Sequence, residues 1–418
     1  MKTFKLSAIA LMGLGLAACQ KEETGKTIVS GDPVEVSVTL QGSSSILSRA
    51  NGNPIPGTDA ENAIKVVEFF VYNEDGSKDT TYPYFSPTSP TTGTHTFLVS
   101  AGTNKKFLAA INQSLGEAAV EDTYDEMVEV LANKMLFTAS DNYSQTAIEA
   151  TVGYGMAGEG VQTVVAGQTN KLSITVSRVL SRVRSPKVNG GGSGLEGGAV
   201  FPAANVTPEV LDEYLTEIFG DDYKNLGAPV QDLKWAFTGY VLINGIDRSY
   251  AFDNKNTWDP AGRQYFKTQY VTGSDGKTLE SVYGGATGGD LFHAAGNTDE
   301  IFVYENSPGL AQSGGSGGTV FKQDEVTAFL IKGAFSATNI NSGTPVTRYW
   351  RVNLIKDDIW KIFRNCVYEI TMNTINTPGF ETPKEAEEDG PIVHPNESSI
   401  SIDLNIAPWG YKTQGVDL

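Results

Sequence analysis

Two segments near opposite ends of the chain alternate apolar and polar residues with a period of two. Val34, Val36, Val38 and Leu40 alternate with Glu35, Ser37, Thr39 and Gln41, and Ile400, Ile402, Leu404 and Ile406 alternate with Ser401, Asp403 and Asn405. Successive side chains of a strand point to opposite faces, so each segment reads as a strand with one buried face. Strand patterns recur at Ile64–Tyr72, Thr94–Val99, Lys106–Asn112 and Lys171–Val176. In the second half they recur at 232–243, 247–252, 264–272, 300–304, 325–335, 346–355 and 366–375. Only two segments read as helices. One starts at the Thr123/Glu126 capping box, with Tyr124, Met127, Val128 and Leu131 at helical spacing. The other opens at Thr207-Pro208, carries Val210, Leu211, Leu215 and Ile218 on one face, and stops at Gly220. The 45 glycines and 19% charged residues suit strands and turns. The expectation is a mainly β protein of antiparallel β-sandwiches or open barrels with a few short helices.

The length of 418 residues predicts two domains. Their junction is expected near Arg184, before the Gly-rich stretch 189–198. From Pro378 the chain turns acidic and Pro-rich, through Pro383, Glu385, Glu387, Glu388, Asp389, Pro391 and Pro395. This reads as a linker of about twenty residues, able to span ~65 Å when extended. The expected division is 1–19, 20–49, 50–184, 185–377 and 378–418.

Lys2 and Lys5 precede the apolar run Leu6–Leu16, and Leu16-Ala17-Ala18-Cys19 closes it with small residues before a cysteine. This is the pattern of a bacterial secretory signal whose removal leaves an acylated Cys19 at the new N-terminus. The run is too short for a permanent membrane-spanning helix. The following Gln20-Lys21-Glu22-Glu23 resembles the export tag of surface lipoproteins of Bacteroidales-type bacteria. With Cys19 acylated, Cys366 has no disulfide partner and reads as a small buried apolar residue. A net charge of −18 argues against nucleic acid as a partner.

Catalytic and metal-binding patterns are missing. His95, His293 and His394 lack metal spacing and read as surface or loop residues. The Gly-rich 190–198 and 313–318 lack the Lys-Ser/Thr of a phosphate loop and read as flexible loops. Glu387-Glu388-Asp389 reads as solvated charge. Trp235, Trp258, Trp350, Trp360 and Trp409 suit core packing better than a sugar-stacking platform. The chain is expected to be neither an enzyme nor a cofactor binder.

The two alternating segments have a second reading beside ordinary core strands, which periodicity alone makes the default. Arg49-Ala50-Asn51-Gly52-Asn53-Pro54 reads as an exposed loop just after the first strand. A cut after Arg49 frees that strand to leave, and an emptied sheet position is a template for an incoming one. The C-terminal segment of another copy has the right period to fill it. Such a heterologous contact propagates head to tail into an open filament.

Four places in the chain resemble the fimbrillins of Bacteroidales, the major and minor fimbrium subunits of type V pili, most nearly the minor-fimbrium shaft subunits. They are the Cys19 lipobox with Ser48-Arg49-Ala50 downstream, the run Ile174–Arg182, the segment Arg364–Thr371 with Gly379, and the ending Ser401–Ile406, Pro408-Trp409 and Val416-Asp417-Leu418. The resemblance implies two transthyretin-like β-sandwich domains. It also implies a lipoprotein precursor held at the outer membrane and cleaved between Arg49 and Ala50 by an Arg-specific protease. The 34–47 strand would be displaced, and 398–418 would be the donor region for other copies in an adhesive extracellular fimbrium, alongside anchor and tip subunits. A tip or anchor role, or a surface glycan-binding lipoprotein, stands as the alternative.

Overall fold

The computed structural model describes residues 31–42, 54–90, 93–134, 154–189, 206–245, 268–270, 279–281, 292–296, 300–306, 310–315, 318–321, 325–354, 361–388 and 400–410. The chain is mainly β. The first half comprises β1 (Pro33–Gly42), β2 (Ile55–Pro56), β3 (Val67–Tyr72), β4 (Tyr84–Phe85), β5 (Thr94–Ser100), β6 (Gly102–Ile111), α1 (Tyr124–Lys134), β7 (Met156–Val164) and β8 (Asn170–Arg178). Then come β9 (Leu180–Val183), β10 (Lys187–Val188), α2 (Pro208–Phe219), α3 (Asp221–Lys224), β11 (Lys234–Ile243), β12 (Thr268–Tyr270), β13 (Leu279–Ser281), β14 (His293–Ala294) and β15 (Ile301–Tyr304). The remainder is β16 (Leu310–Gly315), β17 (Gly318–Phe321), β18 (Ala328–Ser336), β19 (Val346–Asn353), β20 (Cys366–Ile375), α4 (Pro383–Glu388) and β21 (Ile400–Gly410).

The first sheet runs β4-β3-β6-β7-β8-β1-β5. It doubles back on itself, because β7 and β8 pair only at Met156↔Arg178 and Ala157↔Ser177. Gly158 and Gly160 permit this corner, since a Cβ on Gly158 would overlap the Thr175 carbonyl and one on Gly160 would press within 3.1 Å of Ile174 and Leu172. The two halves face each other as a sandwich, and Phe85 of β4 stacks on Phe97 of β5 with centroids 4.6 Å apart. The core between them takes Val67, Phe69 and Val71 from β3, Phe107 and Ile111 from β6, and Leu172, Ile174 and Val176 from β8. The other face of β3 buries Phe70 and Tyr72 against α1, so all six β3 residues are buried. A continuous apolar run is what a strand covered on both faces requires.

The chain leaves this sheet at Val179 and enters a second one, β15-β9-β20-β21-β2, with β10 also on β20. A third sheet, β14-β11-β18-β19, supplies Tyr240, Phe329, Ile331, Phe335 and Trp350 to the same core as Val367, Ile370 and Met372 of β20. Both helix signals hold. Thr123 and Glu126 exchange the two capping hydrogen bonds of α1. Thr207 caps α2, and Gly220 ends it at φ 58°.

Four expectations change. His95 is no surface residue: it lies on β5, is 7% exposed, and its ring sits 5.6 Å from that of Phe69. The strand alternation of β5 places it on the inward face, a position its polarity disguises. Of the Gly-rich 313–318, residues 313–315 end β16 and Gly318 opens β17, with Gly315 paired to Gly318, while 316–317 lie outside the described residues. The start of the acidic segment is folded: Phe380 exchanges backbone hydrogen bonds with Tyr349, and α4 buries Ala386 against Ile243, Ala328 and Leu330. Within that same run, Arg351 donates to the Glu387 carbonyl at 2.6 Å. His293 sits on β14, half-buried and stacked on Tyr240 at 5.3 Å. The segments 190–198, 247–252 and 389–399, with His394, Trp258 and Trp360, lie outside the described residues.

Candidate strand-exchange site

β1 occupies an inner position in the first sheet. Val36–Gly42 pair in parallel with Asn170–Val176 of β8, and Pro33–Thr39 pair antiparallel with Thr94–Ser100 of β5. The alternation sends Val34, Val36, Val38 and Leu40 into the core at 5, 0, 0 and 4% exposure. On the outer face Ser37 and Thr39 meet Thr96 and Thr94 through hydroxyl contacts of 3.1 and 2.8 Å. Asn170 reaches across from β8 to donate to the Glu35 carbonyl at 3.4 Å. Each of the four aliphatic side chains contributes about 1.5–3 kcal/mol of burial, roughly 6–12 kcal/mol together as an upper bound. That matches the whole stability of a typical domain, so β1 is integral to the fold while it is seated.

The entrance to β1's far end is the segment 43–53, which contains Arg49 and Ala50 and lies outside the described residues, as does Cys19. On its downstream side the chain is fixed at once. Ile55 and Pro56 pair in parallel with Trp409 and Gly410, and Glu61 is 1% exposed.

β21 is seated in the second sheet. It pairs antiparallel with β20 from Cys366↔Pro408 to Ile375↔Ile400. Ile400, Leu404 and Ile406 are buried and Ile402 is half-buried. Asn405 donates to Glu369 at 3.0 Å. Burial opposes ionisation of Glu369, yet Asn405 and Arg184 more than offset it and lower its pKa. Among the described residues, the outer edge of 400–408 carries no strand, because β2 reaches only Trp409 and Gly410.

Three of the quoted motifs converge where the two sandwiches meet. Trp409 is fully buried, with the Arg178 guanidinium 4.4 Å and that of Arg182 5.3 Å from its ring centroid. Arg178, 1% exposed, donates to the carbonyls of Trp409 at 3.3 Å and Glu61 at 3.4 Å, to Asn365 at 3.4 Å, and to Asn62. Arg182 pairs with both Glu61 carboxylate oxygens at 3.0 and 3.1 Å, and its Nε lies 3.2 Å from Glu300. Burial and the nearby Glu61 raise the Glu300 pKa against the pull of Arg182 and Arg184. Sequence reasoning placed the domain junction near Arg184 but missed Glu61, Asn62 and the depth of Arg178 and Arg182. The available signal was Arg178 and Arg182 at four-residue spacing in a strand-forming run, since a charge at an inward position demands partners.

Cys366 is buried at 2% exposure, and burial pushes its thiol up to about 12, so it behaves as the apolar residue expected. Trp235, Trp350 and Trp409 are core residues. Among the described residues no group of His, Cys, Asp and Glu side chains is arranged to hold a metal ion, and no helix is long and apolar enough to cross a membrane.

No protein-family model matches the chain, and no curated protein matches it. Solved structures do. A fimbrilin, FimA, of Porphyromonas gingivalis W83 aligns with a TM-score of 0.51 and 15% identity over 93% of this chain and 100% of its own. A candidate cell adhesion protein of Bacteroides eggerthii aligns at 0.50 and 16% identity over 93% and 99%, and another from Parabacteroides distasonis at 0.50 and 14% over 91% and 100%. The chain shares the fold of these Bacteroidales fimbrilin and cell adhesion structures.

Proposed function

We propose that this chain is a structural subunit of a cell-surface fimbria. It is exported as a lipoprotein precursor acylated at Cys19 and held at the outer membrane. An Arg-specific protease cuts it between Arg49 and Ala50, and copies then join head to tail by strand exchange. Residues of the 398–418 region, led by Ile400, Ile402, Leu404 and Ile406, fill the seat left by β1 in the next copy. The fimbria serves adhesion and includes anchor and tip subunits.

One observation carries this reading. β1 is an inner strand with both edges paired and four inward aliphatic side chains, and its downstream link to the fold is the 43–53 segment. Cutting that link breaks no contact of β1. It converts an intramolecular contact into a bimolecular one, so the effective concentration that held β1 in place is lost. The vacated position exposes a dry groove and two unpaired strand edges, which one strand of matching period satisfies at once. The glycan-binding alternative draws no support from Trp235, Trp350 or Trp409, which are inside the core.

The test is the N-terminal residue of protein recovered from the cell surface. Ala50, in an SDS-resistant ladder of oligomers that disappears in Arg49→Ala, supports the proposal. An intact acylated Cys19 on monomers overturns it.

A further inference from the structure

For β21 to serve another copy it has to leave β20, and the contacts that hold its end run back to β1. Over 170–176, β8's strand partner among the described residues is β1; its pairing with β7 is confined to Ser177 and Arg178. Arg178 closes β8 and touches Trp409 by ring face and backbone carbonyl. The second holder of Trp409 is β2, which continues directly from the 43–53 segment. Gly57 follows it so closely that an added Cβ would lie 2.9 Å from Arg178 Nη2 and 3.1 Å from Trp409 Nε1. The end of β21 is therefore gripped by the two segments that flank β1 in space and in sequence.

We propose that Arg178, with Arg182 and the 55–62 segment, is an autoinhibitory latch: it retains β21 in its own sheet while β1 is seated, and lets it go when β1 leaves. The inference rests on the strand-exchange reading and adds the order of events. Loss of β1 strips β8 of seven of its nine register pairs, those of 170–176, and leaves the two beside Arg178. The cut also turns 55–62 from a two-ended span into a chain terminus, and termini fray. Trp409 is suited to release because its indole N–H is buried without a hydrogen-bond partner among the described residues, so leaving its seat sacrifices no hydrogen bond of the ring. A precursor so latched does not polymerise before it is cut, because donor and acceptor become available together.

Amide hydrogen exchange on the full chain, before and after trypsin-like cleavage and removal of the 20–49 peptide, decides the matter. The expected result is at least a ~10-fold rise in exchange at 400–410, with 328–336 unchanged. If the peptide departs and 400–410 keeps its protection, the latch is wrong, and so is any donor role for 400–406 that depends on it. If the peptide stays bound after cleavage, the strand-exchange reading itself fails. In the uncleaved chain, Arg178→Met should raise exchange at 400–410 while 33–42 stays protected. Gly57→Ala, which crowds Arg178 and Trp409 without removing a charge, should do the same. Unchanged 400–410 protection in both variants overturns the latch.

Discussion

Lys105 Nζ lies 2.7 Å from Asp79 Oδ2, and both side chains are only 1% exposed. Asp79 also accepts from the backbone N–H groups of Thr81, Tyr82 and Ser100, and from the Ser100 hydroxyl. The cluster thereby fixes the end of β5 where it pairs with the start of β1, at Pro33↔Ser100. Burial alone would raise the Asp79 pKa, but Lys105 and the backbone donors outweigh it and bring it to about 2. A carboxyl depressed in the folded state adds stability that is fully present above its unfolded pKa. That stability is lost as pH falls from about 4 through about 2, and it amounts to about 2 kcal/mol. Thermal unfolding followed across that window should show the first sandwich losing stability. Lys105→Met, which strands the carboxylate, should cost about 3 kcal/mol at neutral pH.

Val38 is fully buried between β5 and β8. Val38→Asp places a carboxylate against aromatic and aliphatic side chains with no partner, a cost of several kcal/mol. β1 should lose its protection at 33–42 in hydrogen exchange, while the paired strands β18 and β19 in the other sandwich keep theirs. Protection of 33–42 equal to that of the parent would mean that the seat does not depend on this inward row.

Ile402 distinguishes a donor strand from a core strand. It is half-buried in its own sheet, so Ile402→Asp should cost the monomer about 1 kcal/mol by denaturant titration. In a dry groove of another copy the same carboxylate is prohibitive, and the SDS-resistant ladder should vanish. Deleting 398–418 outright would not separate the two roles, because Ile400, Leu404, Ile406 and Trp409 are core residues of the second sandwich.

Gly379 has φ 75°, and a Cβ there would overlap the Trp350 indole. Gly379→Ala should therefore destabilise by about 2–3 kcal/mol through backbone strain and overpacking. Its effect should appear as a lower unfolding midpoint with no change in the susceptibility of Arg49 to cleavage.

Much of the secondary structure was legible because it depends on neighbours in sequence. The alternation in β1 and β21, the Thr123/Glu126 box and the Thr207-Pro208 start each act within a few residues, and each appears where the pattern puts it. The same rules failed at His95, whose place on the inward row of β5 contradicts its polarity, and at α4, where Pro and acidic composition hid a capped helix. In α4 the signal was present as Thr382 and Glu385, which exchange capping hydrogen bonds at 3.0 and 3.2 Å.

The sequence by itself determined that the chain is mainly β, which face of each terminal strand is apolar, and that Cys366 suits a buried apolar position. A period of two says which side chains turn inward. It is silent on which strand lies alongside, because pairing partners are set by contacts far apart in the chain. Only the tertiary structure decided that β1 lies between β5 and β8, that β21 is held on β20, and that Glu61, Asn62, Arg178, Arg182, Asn365 and Trp409 meet at one point. Buried guanidinium groups are stable only where partners surround them, and here those partners come from both ends of the chain.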